Sequence, residues 1–114
     1  MNNINKVSIF ELYEIKKRKE LKISKVFNYI LDIINKKIKL IAEQGGMCLY
    51  YKIPRMIIGY PLYDYNSCFE YIMKQLKQSG LFVIKMPNPN NEYIYVSWKS
   101  EDLSDKVKSR LLLE

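Results

Sequence analysis

The feature that most constrains this chain is an apolar stripe between residues 22 and 44. Ile23, Val26, Phe27, Ile30, Ile34, Ile38 and Ile41 recur at steps of three and four, while Lys25, Asn28, Asp32, Lys36, Lys39 and Glu43 fall on the other side. That period belongs to an amphipathic helix. The many β-branched isoleucines make it a mediocre helix former, so it must be held by burying its stripe against another layer. Ser24 offers a cap at one end, and Gly45-Gly46 stops the other, because glycine adopts a left-handed C-terminal turn at little cost.

The segment that can supply the second layer runs from residue 47 to residue 99. Met47 to Ile53 is rich in tyrosine and apolar residues, reads as a strand and is closed by Pro54. Arg55 to Tyr65 is bounded by prolines and holds Gly59, and its Met56-Ile57-Ile58 and Leu62 predict an ordered, partly buried connection with room for a single helical turn. A helix is expected from about Ser67, where Ser67 and Glu70 have capping-box spacing. Phe69, Ile72, Met73 and Leu76 form its apolar face with Cys68 beside it, and Ser79-Gly80 ends it. Leu81 to Met86 and Tyr93 to Trp98 read as strands joined by the turn formers of Pro87 to Glu92, a β-hairpin closed by Trp98 as a core anchor.

The two ends are less regular. Ser8 and Glu11 again have capping-box spacing, and Ile9, Leu12, Tyr13 and Lys16 follow at helical steps. The run Lys16-Lys17-Arg18-Lys19 then breaks the apolar pattern, which predicts a short separate helix over 8–19. Residues 100–114 restart a helical pattern capped by Ser100, with Leu103, Val107 and Leu111 on one face.

A length of 114 residues allows one domain. The predicted class is α+β: helices packed on a three-stranded antiparallel sheet, with a helical part at 8–44 and a strand–helix–hairpin part at 47–99 making one domain over 1–99, followed by a C-terminal helix at 100–114. The element order is that of a winged helix if the 55–63 connection stands in for its middle helix.

Composition narrows the chemistry. The chain has no histidine, so the usual base near neutral pH and the Ser/His and Cys/His nucleophile pairs are absent. Two cysteines, Cys48 and Cys68, are too few for a zinc site or a disulfide framework, and read as small apolar residues in a reducing compartment. Gly45-Gly46 lacks the Lys-Ser/Thr of a phosphate loop. Asp64 with Glu70 is a carboxylate pair on paper, but the two read as a helix cap and a solvated side chain. No enzyme, cofactor or metal is expected. The polar start, with Asn2, Asn3, Asn5 and Lys6, does not look like a signal peptide, and the short apolar runs predict no membrane span.

Lys and Arg outnumber Asp and Glu by 19 to 12, which favours an anionic partner. Lys, Ile and Asn, all abundant here, are residues of A/T-rich codons, so base composition accounts for part of the surplus. The candidate nucleic-acid contacts are Lys16, Lys17, Arg18, Lys19, Lys22 and Lys25 for phosphates, and Tyr71, Lys74 and Gln78 on the polar face of the 67–79 helix. Against a DNA-touching wing, residues 87–92 carry no Lys or Arg but do carry Glu92. Ten tyrosines concentrate near the sheet and the proline-bounded loop. Tyr60, Tyr63 and Tyr65 are candidates for a protein-binding surface, for base stacking, or for edge packing with hydroxyls in solvent.

The pattern Tyr51-x-Ile53-Pro54, Gly59-x-Pro61-Leu62-Tyr63-Asp64, Cys68-x-x-Tyr71-Ile72, Leu76, Gly80-Leu81-Phe82-Val83 and Ile94-x-Val96-Ser97-Trp98 resembles short uncharacterised proteins of large nucleocytoplasmic DNA viruses, of mimivirus-like and phycodnavirus-like kind. The resemblance covers about residues 36–99. It implies a viral protein of the host cytoplasm or the virion and carries no activity or site residue with it. Two functions are therefore expected in order: a basic non-enzymatic protein that binds nucleic acid through a helical face, and a structural or adaptor protein that binds other viral proteins through its tyrosines.

Overall fold

The structure, a computed structural model, describes residues 6–113. Met1 to Asn5, whose Asn2, Asn3 and Asn5 were read above against a signal peptide, lie outside the described residues, as does Glu114. The first element is a single 35-residue helix, α1 (Ile9–Glu43). The break expected at Lys16-Lys17-Arg18-Lys19 does not occur. Lysine and arginine are good helix formers, so losing the apolar pattern there changes what the helix touches and not whether it continues. Ser8 caps the start, its Oγ accepting the Glu11 N–H at 3.1 Å. Gly45, at φ +87°, turns the chain out of the last turn.

β1 (Cys48–Lys52), α2 (Tyr65–Gln78), β2 (Phe82–Lys85) and β3 (Tyr93–Ser97) follow. The sheet is antiparallel in the order β1-β3-β2, so β1 pairs with the second strand of the hairpin. Its register puts Leu49, Val96 and Val83 in one row and Tyr51 beside Ile94 in the next, all on the face turned to the helices. Tyr50, Tyr95 and Ile84 form the row on the opposite face, as a period of two requires. The core joins Val26, Phe27, Ile30 and Ile34 of α1 to Cys68, Phe69, Ile72 and Leu76 of α2, with Ile53, Val83, Ile94 and Val96 from the sheet side. The fold is thus the α+β domain expected, with the stripe of α1 received by α2 and the sheet.

Several local expectations are corrected. α2 begins at Tyr65 and its cap is Asp64, whose Oδ2 accepts the Ser67 N–H at 2.9 Å and the Ser67 hydroxyl at 2.6 Å. Those two bonds hold the Asp64 carboxyl below the usual carboxylate range. Residues 55–63 contain no helix: the Tyr60 N–H closes a turn on the Ile57 carbonyl at 3.1 Å, with Gly59 at φ +91°. A helix-turn-helix is therefore not formed. Ser100 opens a short 3-10 turn (Ser100–Asp102), and the C-terminal helix α3 (Asp105–Leu113) starts later, with the Ser104 hydroxyl accepting from the Val107 N–H at 3.3 Å. Buried Ser97 drives that delay. Its hydroxyl donates to Asp102 Oδ2 at 2.5 Å, as does that of Tyr95 at 3.2 Å, pinning the turn onto the end of β3. Trp98 is only half-buried and is not part of the core, and Cys48 is likewise half-buried.

The N-terminal part of α1 leaves the domain. Every residue from Ile9 to Lys22 is exposed, and burial begins at Ile23. Ile9, Phe10, Leu12 and Tyr13 are 57, 79, 50 and 55 % exposed. A helix of this length spans about 52 Å, and the molecule measures 72 × 34 × 25 Å with a radius of gyration of 19.3 Å. A compact chain of this length would have about 13 Å.

Candidate functional site

Four of the six basic residues expected to contact phosphates meet in one cleft. Arg18, Lys19, Lys22 and Lys25 of α1, with Ile15, form one wall, and Gly59, Tyr60 and Pro61 of the β1–α2 loop form the other, around about 600 Å³. The helical period explains the selection. Residues 15, 18, 22 and 25 advance by three, four and three, which keeps them on one face. Lys16 and Lys17 sit about 100° and 200° round the helix from Ile15 and do not line the cleft. No carboxylate lines it either. Among the described residues the ion pairs are Asp32–Lys36, Lys52–Glu92 and Arg55–Glu92, so none draws on Arg18, Lys19, Lys22 or Lys25. The cleft is thus a concentration of cations with no internal neutralisation.

Tyr60 is held there by the loop. Gly59 supplies the positive φ that the turn needs, and Pro61 fixes the chain beyond it. The next residue of the helical stripe is Tyr29, whose ring stacks on that of Tyr60 with centroids 5.5 Å apart and planes 22° apart. Both rings remain accessible, at 44 % for Tyr29 and 40 % for Tyr60. Ile15 and Tyr29 were not singled out in the sequence, whereas Gly59 and Pro61 stand in the motif quoted there. The signal that would have found these two is the spacing 15, 18, 22, 25, 29 of Ile15 and Tyr29 with the cations between them, a second stripe beside the apolar one.

The other candidate tyrosines do not join the cleft. Tyr63 sets its ring edge-on to Phe27 at 5.5 Å and donates its hydroxyl to the Pro54 carbonyl. Burial pushes that phenol up to about 12. Tyr65 donates to the Ile53 carbonyl at 3.0 Å and packs edge-on against Phe69 at 5.1 Å. Both therefore tie the loop to the core, and of the three it is Tyr60 that lines the cleft. Arg55 lies 4.4 Å over the Tyr65 ring and bonds Glu92 at 2.5 Å, so the acid in the hairpin turn is matched by a base from the loop.

The polar face of α2 forms a different place. Lys74 and Gln78 line a shallow depression of about 530 Å³ with Glu70, Met73 and Lys77, sharing no residue with the α1 cleft. Tyr71 is half-buried between the helices: its ring lies 5.6 Å from Phe27 and its hydroxyl donates to Asn28 Oδ1. It joins α2 to α1.

Among the described residues no group of three or more His, Cys, Asp or Glu side chains is placed to hold a metal ion. No helix of those residues is long and apolar enough to cross a membrane. Asp64, one half of the carboxylate pair considered above, is committed to capping α2.

Fold and cleft together define a small α+β domain with a basic, tyrosine-walled cleft between its long helix and one loop. A family model described as a family of unknown function, DUF5759, matches residues 7–77, more than half of the chain, and the chain belongs to that family. Both walls of the cleft lie within the matched residues, whereas β2 and β3 lie beyond them. No curated protein and no solved structure matches the chain.

Proposed function

We propose that this chain is a small non-enzymatic viral protein that binds nucleic acid through the basic face of α1. The observation that carries the reading is the convergence of Arg18, Lys19, Lys22 and Lys25 on one cleft with no carboxylate in its lining. Unpaired cations gathered in a concavity attract a polyanion and release its counterions on binding. Helical side chains reaching phosphates from one stripe would fix a strand's position without reading its bases. A viral origin, with the host cytoplasm or the virion as the place of action, is supported by the resemblance of residues 36–99 to short proteins of large DNA viruses. The alternative of an adaptor that binds other viral proteins through Tyr60, Tyr63 and Tyr65 has less support, since Tyr63 and Tyr65 spend their hydroxyls on the backbone of Ile53 and Pro54.

The test is fluorescence anisotropy with labelled single-stranded and duplex DNA and RNA at low salt. Binding to at least one of these, weakened by Arg18→Ala, Lys22→Ala and Lys25→Ala together, is the expected result. No binding to any of them would overturn the reading.

A further inference from the structure

We infer that the cleft takes a single-stranded segment, with a base laid against Tyr60 and the adjoining phosphates on the Arg18–Lys22–Lys25 ladder. This rests on the nucleic-acid reading and names its substrate class. Cations on the surface of a protein serve a duplex as well as a single strand, so the aromatic wall has to decide between them. Tyr60 lines the cleft together with the basic stripe, and the Tyr29 ring, one turn beyond Lys25 on α1, stacks on it at 5.5 Å and holds it in place. The turn at Gly59 and the ring of Pro61 on either side restrict the backbone that carries it. A tyrosine so supported is a preorganised stacking surface, and it lies beside cations that no ion pair among the described residues engages.

Only an unpaired strand can use that surface. In a duplex the faces of the bases are occupied by their neighbours, and the helix would present this cleft with a phosphate edge alone. In a single strand a base can be splayed out, and an aromatic ring accepts any of the four because each has a π-face. The cleft volume of about 600 Å³ lies in the range of small-molecule sites, suited to a nucleotide unit and not to a double helix. Along α1, Arg18, Lys22 and Lys25 rise by about 6 and 4.5 Å, so that successive phosphates of one strand can be met from a single helix face. Little sequence preference is expected, since stacking on a tyrosine ring accepts any base and cations held on phosphates read none.

The experiment compares a labelled single-stranded oligonucleotide with the duplex of the same sequence, using the full chain and its Tyr60→Ala and Tyr60→Phe variants. The expected result is tighter binding of the single strand, a loss on the order of tenfold for it in Tyr60→Ala, near-complete retention in Tyr60→Phe, and little change for the duplex. Quenching of tyrosine fluorescence on adding the single strand, reduced in both Tyr60 variants, gives a second readout. Circular dichroism identifies a Tyr60→Ala variant that has unfolded, and then Tyr60→Leu replaces it. Equal binding of both forms with no effect at Tyr60 would overturn the single-strand inference while leaving nucleic-acid binding intact. Binding of neither form would overturn both.

Discussion

The Tyr29 ring stacks on the Tyr60 ring, with centroids 5.5 Å apart and an angle of 22° between planes. One belongs to the long helix and the other to the loop after β1, so this contact joins the two elements that wall the basic cleft. Such aromatic pairs contribute about 0.5–1.5 kcal/mol beyond the area they bury. A double-mutant cycle of Tyr29→Ala and Tyr60→Ala, followed by urea unfolding, should return a coupling of about that size. Additive effects of the two substitutions would show that the walls are held together elsewhere.

The two halves of α1 should differ sharply in what truncation costs. Ile30 is fully buried among α2 and the sheet, and Ile30→Ala should cost about 2–5 kcal/mol. Leu12, at 50 % exposed and beyond the core, should tolerate Leu12→Ala within about 0.5 kcal/mol. Urea denaturation measures both. Hydrogen exchange gives the same contrast residue by residue, because a helix without tertiary packing is marginal in water: amides of residues 9–20 should exchange far faster than those of 26–41. Equal protection along the whole helix would mean that the projecting part is packed.

Tyr63 anchors the loop through its hydroxyl bond to the Pro54 carbonyl. Tyr63→Phe should cost about 1 kcal/mol. Its phenol is pushed up to about 12 from 10.0, chiefly by burial. A folded value raised above the unfolded one gives stability that is complete below pH 10 and is lost as pH rises from 10 towards 12. Burial raises Tyr51 and Tyr65 as well, so ultraviolet titration should show several late-ionising tyrosines, the latest of which vanishes in Tyr63→Phe.

Asp64 works at the other end of the pH scale. Its carboxyl is held below the usual value of 3.8 by the two bonds from Ser67. A lowered folded value means stability that is present above pH 3.8 and lost as pH falls through the folded value. The melting temperature of the native protein should fall over that acid interval, and Asp64→Asn, which keeps a capping oxygen without the charge, should flatten the fall.

The sequence shows the layers of this fold because each is specified locally: a stripe of period near 3.6 over Ile23 to Ile41, glycines where the helices stop, and alternation in the hairpin. It fails where two signals compete. Lys16 to Lys19 interrupt the apolar stripe, but they are good helix formers, and the helix runs through them. Ser67 and Glu70 have capping-box spacing, yet Asp64 caps because its carboxylate reaches both the N–H and the hydroxyl of Ser67. The cleft was half legible. Its cations stand out in the sequence, but which of them converge depends on the phase of α1 relative to a loop reached only through tertiary contacts. Tyr60 resembles Tyr63 and Tyr65 until the structure shows which hydroxyls are bonded to the backbone.

The most direct measurement of the central claim is the salt dependence of binding to a single-stranded oligonucleotide, for the native chain, for the Arg18→Ala/Lys22→Ala/Lys25→Ala variant and for Lys16→Ala/Lys17→Ala. If the cleft holds three or four phosphates, the logarithm of affinity should fall with that of salt at a slope of about −2 to −3. The triple variant should lose about two units of that slope, and the Lys16/Lys17 variant, whose side chains lie off the cleft, should nearly keep it. No binding at low salt, or a slope that the triple variant leaves unchanged, would contradict the assignment of this cleft to nucleic acid.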